Sequence, residues 1–294
     1  MNANGGSEAA DASPQIISFG EIVFDMIEGT PHLGGAPLNV ACYIRQFGVC
    51  VGLVSAVGRD VLGETALRAL KAADVNTSWV ESRPQPTGTV DVRVVDGDGE
   101  FTVVDGCAWE QIELSDDFTG TGAALLYFGA AAQKTAINRA TFRSLCDLGP
   151  RHILLDINLR PGQYTPELVV QVLNQATIVK MNEKEWEIVR ELTSHNTLAE
   201  LLENSGLDMI ALTRGSAGAV LYLPEKQYAA KGPKVRVVDP IGSGDAFTAA
   251  LAAGMIRGAA PEHILQVACE AGAAAVQGRG ALVDLPDDLR RAFA

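Results

Sequence analysis

The chain has 294 residues, 47% hydrophobic and 20% charged, which suits one large packed domain or two small ones and excludes a disordered chain. Lys and Arg number 23 against 36 Asp and Glu, and the net charge of −13 excludes the basic face that nucleic acid or an anionic membrane requires, so a polyanionic ligand must be met by backbone amides, a few cations and a metal. The 5 cysteines (Cys42, Cys50, Cys107, Cys146, Cys269) contain no CxxC pair and the 4 histidines no metal-ligand spacing, which points to free thiols in a reducing, cytoplasmic setting and away from a zinc enzyme.

Residues 1–14, MNANGGSEAADASP, are small, polar and acidic and read as a disordered tail without the basic and apolar regions of a signal peptide. No apolar run approaches the roughly 18 residues needed to span a bilayer. Gln15–Ile27 reads as one β-branched strand. The Gly- and Pro-rich Gly29–Ala41 leads into an amphipathic helix closed by Gly48. Val51–Gly58 reads as a buried strand and Leu62–Val75 as a helix. Thr87–Gly106 changes the pattern: Val90, Val92 and Val94 alternate with Asp91 and Arg93, and Asp98-Gly99 supplies a turn. This predicts an antiparallel hairpin off the main sheet. An isolated hairpin is marginal, so it needs a partner, either the strand near Pro31–Gly35 or a second subunit.

From about Ala123, strands such as ALLYFGA, HILLDIN, TIVKMN and MIALTRG alternate with helices of about ten residues or more. That alternation predicts an α/β fold with a doubly wound, mostly parallel sheet flanked by helices. We expect a single domain over 15–294 with a small β lid formed by about 28–36 and 87–110. Ligands of such sheets bind at the carboxyl ends of the strands. The polar clusters placed there are Glu21 and Asp25, Asp156 to Arg160, Asn182 to Glu185, Thr213 to Gly215, and Asp239 to Asp245.

The strongest chemical signal is VRVVDPIGSGDAFTAALAAG, Val235–Gly254. It reads as a strand, a Gly-rich turn and a helix opened by Gly242-Ser243-Gly244, whose backbone N–H groups converge on an anion. Asp245, in the first turn, is placed to accept a proton from a substrate hydroxyl; the alternative is a carboxylate that only complements the helix dipole. Phe247 stands where a dinucleotide fingerprint needs its third Gly, and no Gly-Lys dipeptide exists for a Walker loop, which argues against an oxidoreductase and a P-loop enzyme.

DPIGSGDAF near the C-terminus and GGAPLNVA, Gly34–Ala41, together resemble the two motifs of the ribokinase-like (PfkB-type) carbohydrate kinases. GEIVFDMI, AVGRDVLG, CAWEQI and DINLRPGQY lean towards the fructokinase branch. The resemblance implies an ATP-dependent kinase for a sugar hydroxyl, most simply D-fructose to fructose 6-phosphate. It implies Asp245 as base, with Gly242, Ser243 and Gly244 as the anion hole. It implies Asp25, Gly34, Gly35, Asn39 and Arg160 on the sugar. Asn182 and Glu185 match the N-x-x-E motif that holds Mg²⁺ through water, here expected on a solvent-facing helix start, with Lys184 and Arg214 as nearby cations. Asn182, Thr213, Gly215, Gly218, Gly242, Gly244 and Gly272 fall on the nucleotide side, although many relatives carry Asn in place of Gly272. Asp239 begins a turn near which relatives hold a monovalent cation such as K⁺. The implied partners are the sugar and ATP, with a homodimer through the lid also open. Kinases for ribose, 2-keto-3-deoxygluconate or a nucleoside, and a non-catalytic sugar- or nucleotide-binding regulator on the same fold, are the competing readings.

Overall fold

The computed structural model describes residues 14–95, 98–116, 118–120, 122–160 and 162–294, with backbone alone over 92–101. The tail expected over 1–14 lies outside these residues except for Pro14, which is buried. In chain order the strands are β1 (Ile16–Phe19), β2 (Val23–Ile27), β3 (Thr30–Gly34), β4 (Val51–Gly58), β5 (Val80–Arg83), β6 (Gly88–Val95), β7 (Asp98–Val103), β8 (Leu125–Gly129), β9 (His152–Asp156), β10 (Ile178–Asn182), β11 (Met209–Thr213), β12 (Ala219–Tyr222) and β13 (Gln227–Ala230). The helices are α1 (Ala36–Gln46), α2 (Val61–Ala72), α3 (Ala136–Asp147), α4 (Pro166–Leu173), α5 (Glu183–Thr193), α6 (Leu198–Asn204), α7 (Ser243–Ile256), α8 (Pro261–Ala275) and α9 (Asp287–Arg290).

Nine strands form one sheet in the order β13-β12-β11-β10-β9-β8-β1-β4-β5. Every pair from β11 to β5 is parallel, and only the pairs made by β12, with β11 and with the edge strand β13, are antiparallel. A parallel sheet has to be covered on both faces. One face carries α1, α2, α7 and α8 over Tyr127, Leu154, Ile178 and Ala211. The other carries α3 to α6 over Leu126, Phe128, Leu155 and Met181.

Two expectations about local structure change. Gln15–Ile27 is two strands, because Gly20 takes φ +143° and the chain turns out of the main sheet there. A side chain at Gly20 would also meet Pro37 at 2.7 Å. The second half, β2, joins a separate four-stranded sheet in the order β3-β2-β6-β7. The partner that the hairpin needs is therefore β2, which pairs parallel with β6 from Val23↔Gly88 to Ile27↔Val92. The expected turn at Asp98-Gly99 is not found: Val95 pairs with Asp98 and Val94 with Gly99, so both are strand residues, and residues 96–97 lie outside the described residues. Val23, Val90, Cys107 and Trp109 make a small core beneath this outer sheet. Thr87 ties its root to the main body, its backbone N–H donating to Asp60 Oδ2 at 2.8 Å and its hydroxyl to Asp60 Oδ1 at 2.7 Å.

Val235–Pro240, expected as a strand, is irregular. Val237 and Val238 are 59% and 51% exposed, so these β-branched residues have no sheet to enter. The N–H groups of Val238 and Asp239 instead reach the carbonyl of Val276 beyond α8. All five cysteines are free. Among the described residues no helix is long and apolar enough to cross a membrane.

Candidate active site

The carboxyl ends of β1, β9, β10 and β11 and the start of α7 converge, as the strand-end rule expects. α7 begins at Gly242, which takes the left-handed φ of +82°. A Cβ at Gly242 would collide with the carbonyl oxygen of Ala281. No side chain caps this helix. The N–H groups of Ser243, Gly244 and Asp245 have no acceptor in the preceding turn, so they present a partial positive charge. The Ser243 hydroxyl donates to the carbonyl of Gly272 at 3.1 Å, which leaves its backbone N–H as its contribution to the open helix end.

Asp245 stands at this end, half-buried. Asn39, buried on α1, donates from Nδ2 to Asp245 Oδ2 at 2.8 Å, joining the two sequence motifs across the fold. Burial pushes the Asp245 carboxyl up to about 6; Asp156 adds to the rise, while the Asn39 bond, Lys180 and Arg160 oppose it. A carboxylate with an ionisation near neutrality and one oxygen fixed by an amide suits proton abstraction from a hydroxyl.

Beneath the helix start lies a group that the sequence did not single out. Lys180, in the middle of β10, is 7% exposed, and its Nζ donates to both Asp156 oxygens at 3.0 Å. Thr248 on α7 donates to Asp156 Oδ2 at 3.0 Å, which completes the carboxylate's partners. A Cβ on Gly244 would lie 3.1 Å from Lys180 Nζ, so the ammonium sits directly under the open turn. Burial alone would lower the Lys180 pKa, but Asp156, Glu185 and Asp245 outweigh it and hold the amine above its ordinary value. Lys184, expected as a nearby cation, is exposed on α5; the buried cation of the site is Lys180. A lysine inside the apolar string IVKMN, in register with Asp156 of β9, is the signal that could have found it.

The sugar-side candidates gather opposite. Asp25 on β2 lies across from His32 on β3. Burial raises its pKa, while Arg160 and His32 pull it down, so these three groups share one locality. Gly34 keeps its Cα beside Asp25, where a Cβ would be 3.5 Å from Oδ2. Gly35 serves packing: a side chain there would come 2.5 Å from the carbonyl oxygen of Glu21. Arg160 is exposed, and its charge reaches Asp25, Glu21 and Asp245. Glu21, which carried no assigned role in the sequence, is buried between β1 and β2, with its carboxyl pushed up to about 7 by burial.

Asn182 and Glu185 do not form the solvent-facing pair expected. Glu185 is 7% exposed, and Asn182 caps α5 in a capping box. Asn182 Oδ1 accepts from Glu185 N at 3.0 Å, Glu185 Oε2 from Asn182 N at 2.8 Å and Glu185 Oε1 from Leu159 N at 3.0 Å. No group of three or more His, Cys, Asp or Glu among the described residues is placed to hold a metal. One carboxylate and one amide, each with a lone pair left, fit a hydrated Mg²⁺ whose other ligands are water and phosphate, and not an ion caged by protein.

On the nucleotide side, Thr213 ends β11 opposite Asn182, and its hydroxyl donates to Met181 O at 3.4 Å. Gly215 is exposed with open space on its Cβ side. Gly218 and Gly272 are packing positions: a side chain at Gly218 would strike the carbonyl of Ala230, and one at Gly272 would lie 3.2 Å from Ser243 Oγ. Asp239 accepts from Ile241 N at 3.0 Å and Gly280 N at 2.9 Å, so its carboxylate braces the loop before α7.

Comparison with known proteins gives the family. The description "pfkB family carbohydrate kinase" matches residues 8–288. A fructokinase of Rhizobium leguminosarum bv. trifolii is 28% identical over 259 residues, covering 85% of this chain and 78% of the relative. A nucleoside kinase of Methanocaldococcus jannaschii is 24% identical over 259 residues, covering 87% of this chain and 82% of the relative. The crystal structure of a Xylella fastidiosa fructokinase with bound ATP superimposes with a TM-score of 0.82 at 21% identity, covering 91% of this chain and 94% of that one. The chain belongs to the pfkB family and is a carbohydrate kinase.

Proposed function

We propose that this kinase transfers the γ-phosphoryl group of ATP to a hydroxyl of D-fructose, giving fructose 6-phosphate and ADP, with Asp245 as the general base. The arrangement of Asp245 is the observation that carries the reading. One oxygen is fixed by Asn39, and the residue sits on an uncapped helix start above a buried lysine. Asp245 accepts the hydroxyl proton as the sugar oxygen bonds to the γ-phosphorus and the bond to the ADP oxygen breaks. Charge that spreads over the transferring oxygens meets the N–H groups of Ser243, Gly244 and Asp245, with the Lys180 ammonium behind them. These donors are in place before the reaction, so little reorganisation opposes it.

Asp25, the second N–H of the Asn39 amide, the Gly34–Gly35 backbone and Arg160 take the sugar; Thr213, Gly215 and the Gly272 wall of α8 take the nucleotide. Asn182 and Glu185 would hold a hydrated Mg²⁺, which would offset triphosphate charge. The outer sheet acts as a lid that excludes water from the phosphoryl group. ATP as the donor is supported by the nucleotide bound to the Xylella enzyme and fructose by the Rhizobium relative. A second reading, a keto-sugar acid such as 2-keto-3-deoxygluconate, is favoured by Arg160, whose charge reaches the three carboxylates of the sugar side.

ADP release measured with a panel of fructose, ribose, 2-keto-3-deoxygluconate and a nucleoside separates these readings. Fructose with the highest kcat/KM supports the proposal. A preference for the sugar acid that disappears in Arg160→Ala supports the second reading, and no ADP release with any sugar removes both.

A further inference from the structure

Two buried acceptor atoms near the base have no hydrogen-bond partner: Glu21 Oε2 and Asn39 Oδ1. A buried acceptor without a donor is costly, so each of these atoms asks for one. Both lie at the first turn of α1. The backbone of Ala36, the first residue of α1, helps to lower the pKa of the Glu21 carboxyl, and the Gly35 position abuts the Glu21 carbonyl. Asn39 is one turn further on, its N–H bonded to Gly35 O at 2.9 Å. Side chains on a helix lean towards its N-terminus, which carries the Asn39 amide back over the turn where Glu21 is seated. Asn39 Nδ2 is committed to Asp245, which fixes Oδ1 as the end of the amide left to accept.

We propose that Glu21 is a positioning residue that is neutral in the working enzyme and donates its proton from Oε2 to Asn39 Oδ1, completing a Glu21–Asn39–Asp245 chain. One added proton satisfies both orphaned acceptors. The chain locks the Asn39 amide in the orientation that donates to Asp245 and leaves the other Asp245 oxygen for the sugar hydroxyl. It also keeps a second negative charge away from Asp245 and from the incoming phosphoryl group. The burial that raises the Glu21 carboxyl to about 7 favours the neutral form.

The charged and titratable groups around Glu21 come from α7, the segment after β9, β8, β2 and β3. Asp245 on α7 disfavours its ionisation, and Arg160 after β9 favours it. Tyr127 on β8 is a buried phenol whose hydroxyl also has no hydrogen-bond partner; burial holds it neutral, with Asp156, Asp245 and Glu21 adding to the effect. Asp25 and His32, on β2 and β3, act on the same Arg160-bearing region. The proposal rests on Asp245 being the base, and the tests below separate the two.

Glu21→Gln keeps a neutral donor of the same shape, whereas Glu21→Ala removes it. In wild type, kcat should fall on the alkaline side of neutrality as Glu21 ionises. Glu21→Gln should retain at least a third of kcat and lose that alkaline limb. Glu21→Ala should lose about tenfold in kcat, with KM for ATP changed less than twofold. An infrared spectrum at neutral pH gives a readout independent of turnover: a protonated-carboxyl band in wild type, absent in Glu21→Gln. An alkaline limb unchanged in Glu21→Gln, activity as low in Glu21→Gln as in Glu21→Ala, or no protonated-carboxyl band would overturn the proposal. If Asp245→Asn keeps its turnover while the band is present, the base assignment fails and the Glu21 proton stands.

Discussion

α5 and α7 both start at the carboxyl edge of the sheet, yet they finish their starts in opposite ways. At α5, Asn182 and Glu185 bond each other's backbone N–H groups, and Glu185 also takes Leu159 N. The helix satisfies itself with its own side chains. At α7, a glycine in the left-handed conformation replaces the cap, and no side chain reaches the exposed N–H groups. One start is closed and contributes to folding; the other is left unsatisfied, at a cost that the surrounding structure bears, and is available to an anion. Sequence motifs of similar appearance, N-x-x-E and G-S-G-D, therefore do different physical work.

The contrast can be broken at its foundations. Lys180→Met should have the largest effect on stability. It leaves Asp156 buried with Thr248 as its remaining side-chain donor, and breaking a buried pair costs about 3–5 kcal/mol. Urea unfolding should show this loss, and turnover should fall as well because the open α7 start loses the charge beneath it. Gly242→Ala comes next. The positive φ and the collision with Ala281 O should destabilise the protein by about 3 kcal/mol and displace the N–H groups. A variant with wild-type stability and kcat would show that the glycine is incidental.

Acid sharpens the comparison. The Asp245 and Glu21 carboxyls are raised to about 6 and about 7, so the folded state binds their protons more tightly than the unfolded chain does. The stability that they contribute is complete below the ordinary carboxyl range and is lost as pH rises through about 6 and 7. Unfolding free energy should therefore fall by roughly 2 kcal/mol from mildly acid to mildly alkaline pH. The double variant Asp245→Asn, Glu21→Gln should flatten that slope. The smallest effect belongs to the closed start: Asn182→Ala should cost about 1 kcal/mol, the usual value of an N-cap. At saturating Mg²⁺ and ATP its kcat should change less than that of either α7 variant.

What the sequence disclosed follows the same physical division. Gly242, Ser243, Gly244 and Asp245 are contiguous, so their chemistry is legible in one string, and Asn39 was reached through its own motif. Lys180 was not reached, because its meaning comes from lying in register with Asp156, a pairing between strands that no local pattern displays. Glu21 was hidden for a related reason: a single apolar run, Gln15–Ile27, conceals the bend at Gly20 that sends β2 to the outer sheet and leaves Glu21 under α1. The parallel sheet was legible from βα alternation. The irregular course of Val235–Pro240 was not, since its valines promise a strand that has no neighbour to pair with.

Whether Asp245 is the base is tested most directly by two properties of one variant, Asp245→Asn: turnover and stability at mildly alkaline pH. The amide keeps the shape and loses the proton acceptor, and a positioned general base contributes about 10²–10⁴-fold. Asp245→Asn should lose kcat by that factor, with sugar affinity retained and unfolding free energy equal to or above that of wild type. More than a tenth of wild-type kcat, or a marked loss of stability in its place, would contradict that role.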